Sequence, residues 1–347
     1  MGAPSVTIVF LVFNRRDELR TSLRTMIGES DYDGDVDVIV VDNASTDGSG
    51  EMVREEFPQV RLLTHERNVG VSGWNIGFAA ARGDWILALD DDCYLPRDGL
   101  RRAIAAAGER DADLVSFRVA STHDPDWVFT EKYQTGLFMF WGCAVLIRRA
   151  AVEELEGYDP EIFVWANELE FMLRFFDRGY THLHFPEVVA QHMKAPPEDT
   201  GYREIDWRPY RLNARHWGYI AGKLFRRRDA AEALVALLAR NLRDAIREHR
   251  AAITAVPHTL RGFAHGLRHR KPVGNAELSR FYRRNFETFA SPWWLSRPVR
   301  ELIRSLPREI AERRFHWDSR PKGIGRREEY FDERARVYPD EPAVLKF

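Results

Sequence analysis

The chain alternates short apolar runs with amphipathic stretches from Val6 to about Phe117, and this alternation constrains its fold more than any other feature. The run VTIVFLVF is apolar on both faces, as a central parallel strand requires. After Asn14, a residue type that commonly caps helices, Leu19, Leu23 and Met26 recur at helical spacing. The pattern predicts repeated βαβ units, and therefore an α/β fold with a mostly parallel sheet flanked by helices.

The chain divides by pattern into regions of different character. Further strands are predicted at 36–41, 60–64 and 85–89, with helices near 49–57 and 72–82. An aromatic-rich region follows from about 116 to 192, and beyond about 201 the pattern becomes helical. We therefore predict a domain over 1–200 with halves 1–117 and 118–200, a helical C-terminal region over 201–315, and an extended tail over 316–347.

Composition excludes several classes of protein. Fifty-one basic and 53 acidic side chains leave a formal charge of −2, which argues against a nucleic-acid-binding protein. Two cysteines exclude a fold built on disulfides and suggest a reducing compartment. The longest apolar runs, Val6–Phe13 and Leu137–Ile147, fall short of the roughly 18 residues of a spanning helix. Basic residues follow the first apolar stretch, the wrong order for a secretory signal, so we expect a cytoplasmic protein.

The helical region is basic and amphipathic. Six basic side chains and no carboxylate lie between Arg211 and Arg228. The next helix carries an apolar stripe formed by Leu234, Leu237, Leu238, Leu242 and Ile246. The stripe favours packing onto the main domain, and contact with a phosphate or with the anionic inner face of a membrane is the alternative.

Three consecutive aspartates, Asp90, Asp91 and Asp92, directly follow the apolar strand WILAL. Ligand chemistry in such sheets gathers at the carboxyl ends of strands. Three negative charges in one loop, without a neighbouring base in the sequence, favour a bound cation. Mg²⁺ or Mn²⁺ suits an Asp-x-Asp array, because these ions take a few carboxylates and complete their shell with phosphate oxygens and water. The alternative is a solvated turn before Pro96.

Two further polar groups follow strands or open helices. Asp42 ends a strand in the segment VVDNASTDGS, where residues 45–47 can cap the next helix. Its carboxylate can accept an N–H from a nucleobase, either N3–H of uracil or thymine or the N–H groups of guanine. The pattern Asn-x-Gly occurs at Asn68 and Gly70 and again seven residues on. Each glycine can equally serve a tight turn or close helix packing.

Five features occur in the order and at the spacing of a known family: VTIVFLVFNRR, VVDNASTDGS, NVGVSGWNIGFAAARGDWILALDDD, GYDPEIFVWANELEF and His192. Together they resemble the inverting nucleotide-sugar glycosyltransferases of family 2, which have the GT-A fold. The resemblance spans about three fifths of the chain, from Val6 to Asn213. It implies a GT-A (Rossmann-like) catalytic domain over 1–200, with a nucleotide-binding half over 1–117 and an acceptor-binding half over 118–200.

The resemblance also implies roles for single residues. Phe13 and Asp42 would lie against the nucleobase, and Asp92 would hold a divalent metal, Mg²⁺ or Mn²⁺, that bridges two phosphates. His192 would add a further metal or phosphate contact. The residues that would bind the nucleotide are Phe13, Asn14, Arg15, Asp42, Asn43, Asn68, Gly70, Trp74, Asp90 and Asp91.

The catalytic base is expected within ANELEF. The family's acidic pair at a helix start usually ends in Asp, which aligns here with Glu168, while Asn167 replaces the preceding acid. Glu168 would deprotonate the acceptor hydroxyl, and its place in the first helical turn favours its ionised form. Glu170 is the rival, although Arg174, four residues on, offers it a helix salt bridge.

Trp141 and Gly142 precede the strand CAVLI, where relatives receive the acceptor. The Trp face could stack on a sugar ring that the adjacent glycine lets approach, and the alternative is a Trp in the core. These residues complete the expected site.

The resemblance implies an enzyme that moves a sugar, with inversion, from a nucleotide-diphosphate donor to a hydroxyl group. UDP and dTDP donors are favoured, and the acceptor is a glycan, a lipid-linked glycan or a small natural product. One alternative is a nucleotidyltransferase, although FNRRDEL lacks the glycines of its phosphate loop. The other is a non-catalytic nucleotide-sugar-binding subunit of a polysaccharide assembly. The sequence specifies neither the sugar nor the oligomeric state.

Overall fold

A computed structural model of the chain describes residues 2–124, 126–129, 139–195, 207–247, 250–290 and 343–346. Contacts divide the chain into two units. The first comprises Met1–Asp199 and Glu328–Lys346, and the second comprises Thr200–Arg327 with Phe347. Each unit has a hydrophobic cluster of its own.

The first unit alternates strands and helices along the chain. In chain order its first elements are β1 Val6–Val12, α1 Arg16–Gly28, β2 Val36–Asp42, α2 Ser49–Glu56, β3 Arg61–Thr64, a 3₁₀ turn Gly70–Gly73, α3 Trp74–Ala80, β4 Trp85–Asp90 and β5 Cys93–Tyr94. They continue as α4 Gly99–Glu109, β6 Leu114–Ser121, β7 Ala144–Arg148, α5 Arg149–Glu154, α6 Asn167–Asp177 and β8 His182–His192. The helix expected at 72–82 is thus a 3₁₀ turn followed by a shorter α-helix.

The strands form one mixed sheet in the order β3-β2-β1-β4-β7-β6-β8-β5. The pairs β2–β3, β1–β2, β1–β4 and β6–β8 are parallel, while β7 pairs antiparallel with both β4 and β6. The predicted α/β fold with flanking helices is confirmed. Its parallel strands β3, β2, β1 and β4 are the ones that the βαβ pattern predicts, since helices connect them along the chain.

The core lies between this sheet and its helices. Ile8, Phe10 and Leu87 are fully buried, in agreement with strands that read as apolar on both faces. Leu19 and Leu23 of α1 are fully buried in the same cluster, so the predicted helical spacing sets the face that packs on the sheet.

Asn14 does not cap the first helix as expected. Arg15 occupies the N-cap position without a side-chain hydrogen bond, and Asn14 has left-handed backbone geometry, with φ of 55°. Its Oδ1 instead accepts the N–H of Thr46 at 2.7 Å. Asp47, from the loop after β2, accepts the N–H of Arg16 through Oδ2 at 2.9 Å. A carboxylate distant in sequence therefore supplies the cap, which local pattern does not reveal.

The second unit is helical in its described part. Its elements are α7 Trp207–Leu224, α8 Arg227–Arg247, a 3₁₀ turn Arg250–Thr254, α9 Ala255–Arg268 and α10 Ala276–Ala290. Helices α7 and α9 pack with their backbones in contact, because Gly218 and Gly222 face Gly262 and Gly266. A Cβ atom added at any of these four glycines would overlap backbone of the opposite helix.

The apolar stripe predicted on α8 is only partly buried. Leu237 is buried, but Leu242 is 51% exposed and Ile246 is 75% exposed. The expectation that the stripe packs is therefore wrong for these two residues. The buried face carries hydrogen-bonded polar groups instead, as Nδ2 of Asn241 donates to Oγ1 of Thr259 at 2.8 Å.

The structure describes only 343–346 of the tail predicted over 316–347; the remainder lies outside the described residues. Within that part, β9, Ala343–Leu345, pairs antiparallel with the start of β8. In the ranges that are described, no helix is both long enough and apolar enough to cross a membrane.

Candidate active site

Three strands end together at one edge of the sheet. The register pairs Val12 of β1 with Asp42 of β2, and Leu11 of β1 with Asp90 of β4. Asp90 is partly buried, and the two aspartates that follow it are almost fully buried. The parallel register therefore brings both predicted carboxylate groups to either side of the end of β1.

His192 reaches the aspartates through β5. This short strand pairs antiparallel with the end of β8, and the register sets Cys93 opposite His192. Nε2 of His192 lies 3.0 Å from Oδ1 of Asp92. Ligand atoms of Asp90, Asp92 and His192 all lie within 4.8 Å of one another. The topology thus brings Asp92 and His192, expected at the metal, together with Asp90, expected at the nucleotide.

These side chains fit a divalent cation. The 3.0 Å between the nitrogen of His192 and the oxygen of Asp92 matches the edge of an octahedral shell with bonds of about 2.1 Å. Oδ1 of Asp92 and Nδ1 of His192 are buried without a partner in hydrogen-bond geometry among the described residues. Burial and the charge of Asp92 raise the pKa of Asp90 to about 6. A cluster of carboxylates that repel one another gains from a cation.

Arg15 lies against the same aspartates from the side of α1. Its Nη1 contacts Oδ2 of Asp92 and lies 3.4 Å from Oδ1 of Asp91. Burial tends to raise the pKa of Asp92, but His192 and Arg15 outweigh it and lower that pKa. The hydroxyl of Ser22 donates to the backbone oxygen of Asp91 at 2.9 Å. Helix α1 therefore positions the turn of aspartates through Ser22, and the residue at its N-cap places a guanidinium on that turn.

The residues expected at the nucleobase differ in exposure. Phe13 is exposed, and its N–H donates to Oδ2 of Asp91 at 3.3 Å. Asp42 is buried, and its Oδ1 accepts the N–H of Ser45 at 2.8 Å. Trp74 is also buried, with its ring stacked on a neighbouring Phe of α3. Phe13 is thus the open aromatic surface beside the end of β1.

Asn43 organises the loop that carries the first Asn-x-Gly. Its Oδ1 accepts the N–H of Val69 at 3.0 Å, and its Nδ2 donates to Oδ1 of Asn68 and to the oxygen of Gly70, each at 3.1 Å. Gly70 has φ of 67°, and a Cβ there would overlap the oxygen of Phe163. The turn interpretation of this glycine therefore holds.

The second Asn-x-Gly also has a structural use. Asn75 pairs with the backbone of Tyr158, accepting its N–H at 2.9 Å and donating to its oxygen at 2.8 Å. A Cβ at Gly77 would lie 2.5 Å from Cγ1 of Val9, so this glycine permits close packing of α3 on β1.

Glu168 lies in the first turn of α6 with its carboxylate against Gly142. A Cβ at residue 142 would overlap Oε1 of Glu168 and lie 3.2 Å from its Cδ. The next residue, Cys143, accepts the N–H of Asp90 through its backbone oxygen at 2.8 Å. The segment 142–143 therefore touches both Glu168 and the end of β4.

The protonation of Glu168 differs from the expectation. Burial and the charge of Asp90 raise its pKa to about 7, whereas its place in the first helical turn predicted a preference for the ionised form. That prediction is wrong in sum, because loss of solvation outweighs the helix dipole. A pKa near neutrality suits a general base.

Glu170 is fully buried and paired with Arg174, so the predicted salt bridge is present. Nε of Arg174 lies 2.9 and 3.0 Å from the two carboxylate oxygens, and Nη2 lies 2.6 Å from Oε2. Nη2 also donates to the oxygen of Gly157 at 2.8 Å. The pair ties α6 to the loop before it.

Trp141 is half-buried and stacks on Phe129, with ring centroids 6.0 Å apart and planes 24° apart. Phe129 in turn lies 5.1 Å from the ring of His192. The aromatic group therefore borders the metal residues, and Gly142 beside it makes room for the carboxylate of Glu168.

The segment 163–166 lies inside the motif GYDPEIFVWANELEF, but no role was predicted for its residues. Phe163 and Trp165 are exposed, and Trp165 and Ala166 both have left-handed backbone geometry, with φ of 61° and 65°. The oxygen of Phe163 accepts the N–H of Val71 at 2.8 Å. This segment joins the loop at 68–71 to the start of α6. Two exposed aromatic residues just before an acidic helix start are the signal that could have identified it.

Residues 7–156 match the model of glycosyl transferase family 2. The chain is 35% identical over 113 residues to the succinoglycan biosynthesis protein ExoO of Rhizobium meliloti, a match that covers 32% of each chain. It is 22% identical over 208 residues to the glycosyltransferase AglE of Haloferax volcanii, covering 56% of this chain and 68% of the relative. The match thus spans about a third of the first relative and two thirds of the second.

A solved structure shares the fold. The mannosyltransferase PcManGT from Pyrobaculum calidifontis, crystallised with GDP-Man and Mn²⁺, superposes with a TM-score of 0.51 over 88% of both chains at 21% identity. The resemblance drawn from the sequence motifs, in both family and fold, is confirmed.

Proposed function

We propose that this chain, whose residues 7–156 match the model of glycosyl transferase family 2, moves a sugar with inversion from a nucleotide-diphosphate donor to a hydroxyl acceptor. One observation carries the proposal. The Asp90, Asp92 and His192 group and the carboxylate of Glu168 are linked through the single segment 142–143. A group suited to a metal-bound diphosphate and a group suited to a base thus lie at one sheet edge.

The metal group would act on the leaving diphosphate. Asp90, Asp92 and His192 would hold Mg²⁺ or Mn²⁺, since their ligand atoms converge within 4.8 Å. A bound divalent cation neutralises negative charge on the departing phosphate oxygens. Asp91 accepts the N–H of Phe13 and orders the turn between these ligands.

Glu168 would act on the acceptor. In its ionised form its carboxylate accepts the proton of the acceptor hydroxyl as that oxygen attacks the anomeric carbon. Attack comes from the side opposite the diphosphate, so the new bond has inverted configuration. Glu170 does not compete for this role, because both of its oxygens bind Arg174.

Asp42 and Phe13 would recognise the base. Asp42 engages one N–H of the chain through Oδ1, and a carboxylate accepts more than one hydrogen bond, so it can also take N3–H of uracil or thymine. The proposal favours UDP and dTDP donors, although the same carboxylate can also accept the N–H groups of guanine. A guanine donor, as in the PcManGT crystal, is the alternative outcome.

The acceptor is proposed to be a glycan, a lipid-linked glycan or a small natural product. The name of the R. meliloti relative, a succinoglycan biosynthesis protein, supports a polysaccharide. Trp141 and Gly142 would border the acceptor beside Glu168. We further propose a cytoplasmic location, with the exposed apolar residues of α8 available to the inner membrane face.

Thermal unfolding in the presence of UDP-, dTDP- and GDP-sugars, each with Mn²⁺ or with chelator, tests the proposal. A ligand that binds the native state raises its midpoint, so one donor class should raise it most, and more with Mn²⁺ than with chelator. Hydrolysis of that donor should cease on chelation and in Asp92→Asn. Donor binding without turnover on any acceptor, with Glu168→Gln unchanged, would instead favour a binding subunit.

A further inference from the structure

Arg15 contacts the carboxylates from which the metal group is built. Its Nη1 bonds to Oδ2 of Asp92 and lies 3.4 Å from Oδ1 of Asp91. The other oxygen of Asp92 faces His192 at 3.0 Å. A guanidinium is positively charged at every physiological pH. The chain therefore places a cation of its own against a residue selected to bind a divalent one.

Two cations at this carboxylate oppose each other. A guanidinium and a divalent ion held on the two oxygens of one carboxylate lie close enough to repel each other, and the ion carries two charges. Asp92 is buried, so solvent screens this repulsion weakly. A divalent ion held by Asp92 and His192 would therefore disfavour the guanidinium on the same carboxylate, and the guanidinium would disfavour the ion.

The side chain of Arg15 also has space for a second position away from Asp92. Its side chain is 44% exposed. It borders a cavity of about 300 Å³ lined also by Asn14, Asp47 and the first residues of α1. A diphosphate beside the aspartates would present oxygens that a guanidinium binds with two parallel hydrogen bonds.

We propose that Arg15 is a tethered competitor of the divalent cation at Asp92, and that a bound diphosphate draws it away. The inference rests on the proposed function, because it takes a diphosphate as the partner. Cation and nucleotide binding are then cooperative, since the bound nucleotide draws the guanidinium of Arg15 away from the carboxylate that binds the cation. By linkage, the cation strengthens nucleotide binding by the same factor.

Titration calorimetry on the full chain tests this. Mn²⁺ alone is titrated into the wild type, Arg15→Gln, Arg15→Lys and the matched control Arg16→Gln. The side chain of Arg16 pairs with Asp17 and not with the aspartates at 90–92. In Arg15→Gln we expect Mn²⁺ to bind about tenfold more tightly or better without nucleotide. Arg15→Lys, which keeps the charge, and Arg16→Gln should stay within about twofold of the wild type.

The second titration uses a nucleoside diphosphate with chelator present: UDP, dTDP or GDP, whichever raises the thermal midpoint most. Arg15→Gln should bind this nucleotide about tenfold more weakly than the wild type, whereas it should bind Mn²⁺ more tightly. Unchanged or weaker Mn²⁺ binding in Arg15→Gln, with Mn²⁺ and nucleotide still bound by the wild type, overturns the competition and leaves the proposed function standing. If the wild type binds neither Mn²⁺ nor any of the three nucleotides, both proposals fall.

Discussion

Glu168 should set the pH dependence of turnover. Its pKa is raised to about 7 by burial and by the charge of Asp90, and only its ionised form accepts a proton. Hydrolysis of the preferred donor should therefore level off above about pH 7 and fall about tenfold per pH unit below it. Glu168→Gln should lower the rate about 10²–10⁴-fold and remove this limb of the profile. A variant that keeps both rate and profile would exclude Glu168 as the base.

Gly142→Ala should displace that carboxylate. The added methyl overlaps Oε1 of Glu168, so the side chain must leave its position, while the nucleotide residues across the sheet edge are untouched. We expect donor hydrolysis to drop at least about tenfold with donor affinity kept, as for loss of an interaction made in the transition state. Gly108→Ala is the control, because nothing lies within 4 Å of a Cβ there. Equal rates in the two variants would show that the contact is unimportant.

At the scale of single residues, the sequence predicted chemistry better than environment. It selected Asp92 and His192 for a metal and Asp90 for the nucleotide, and the sheet brings ligand atoms of all three within 4.8 Å of one another. It did not predict the raised pKa of Glu168, because burial comes from segments distant in the chain. Nor did it predict that Gly142 makes room for Glu168, since that contact joins the turn before β7 to the first turn of α6, which share no local pattern.

Within α6, Glu168 is the proposed base, whereas Glu170, two residues on, has a structural role. Glu170 is fully buried and neutralises Arg174, so Glu170→Gln leaves a buried cation without its counterion and should cost about 3 kcal/mol or more. Turnover per folded molecule and its pH midpoint should stay unchanged. Urea unfolding and donor hydrolysis measure the two effects. A catalytic loss larger than the loss of folded protein would transfer the role of base to Glu170.

Helices α7 and α9 depend on four glycines. A Cβ at Gly262 would overlap the backbone oxygen of Arg215, and backbone yields less readily than a flexible side chain. Gly262→Ala should therefore destabilise the second unit by about 1–3 kcal/mol through overpacking, seen as an earlier thermal transition. The control Gly108→Ala, inside the exposed part of α4, should gain about 0.5–1 kcal/mol from lower chain entropy. A neutral Gly262→Ala would mean that the two helices separate without cost.

At the scale of elements, periodicity predicted the strands and helices of the first unit well and the second unit less well. Strands such as β1 and β4 are recognisable because both faces are apolar. The stripe on α8 misled because its buried face carries Asn241 and Asp244, which are satisfied by hydrogen bonds to Thr259 and Tyr210. Hydrophobic pattern alone cannot detect a polar face that finds its partners in other helices.

For the molecule as a whole, the site depends on a connection that periodicity does not predict. The chain leaves β4 in the middle of the sheet and, three residues later, pairs as β5 with the far strand β8. That step brings the turn that contains the aspartates next to His192, so that residues distant in sequence form one metal group. A strand of two residues, such as β5, has no periodic pattern of its own. The proximity of His192 to the aspartates was therefore predicted only from the order of the motifs and their resemblance to a family.

The exposed apolar residues of α8 test whether the molecule contacts a membrane. Val235, Leu242 and Ile246 are 67%, 51% and 75% exposed on a helix with exposed arginines. Such a face favours an anionic bilayer through apolar burial and salt-dependent attraction. The wild type should sediment with vesicles containing phosphatidylglycerol, less so as salt rises. The triple Ser variant at these positions should bind about tenfold less, while Val36→Ser, at an exposed strand start, should not change binding. If the triple variant instead abolishes a concentration-dependent dimer and vesicles bind neither protein, the face meets a second copy of the chain and the membrane contact is wrong.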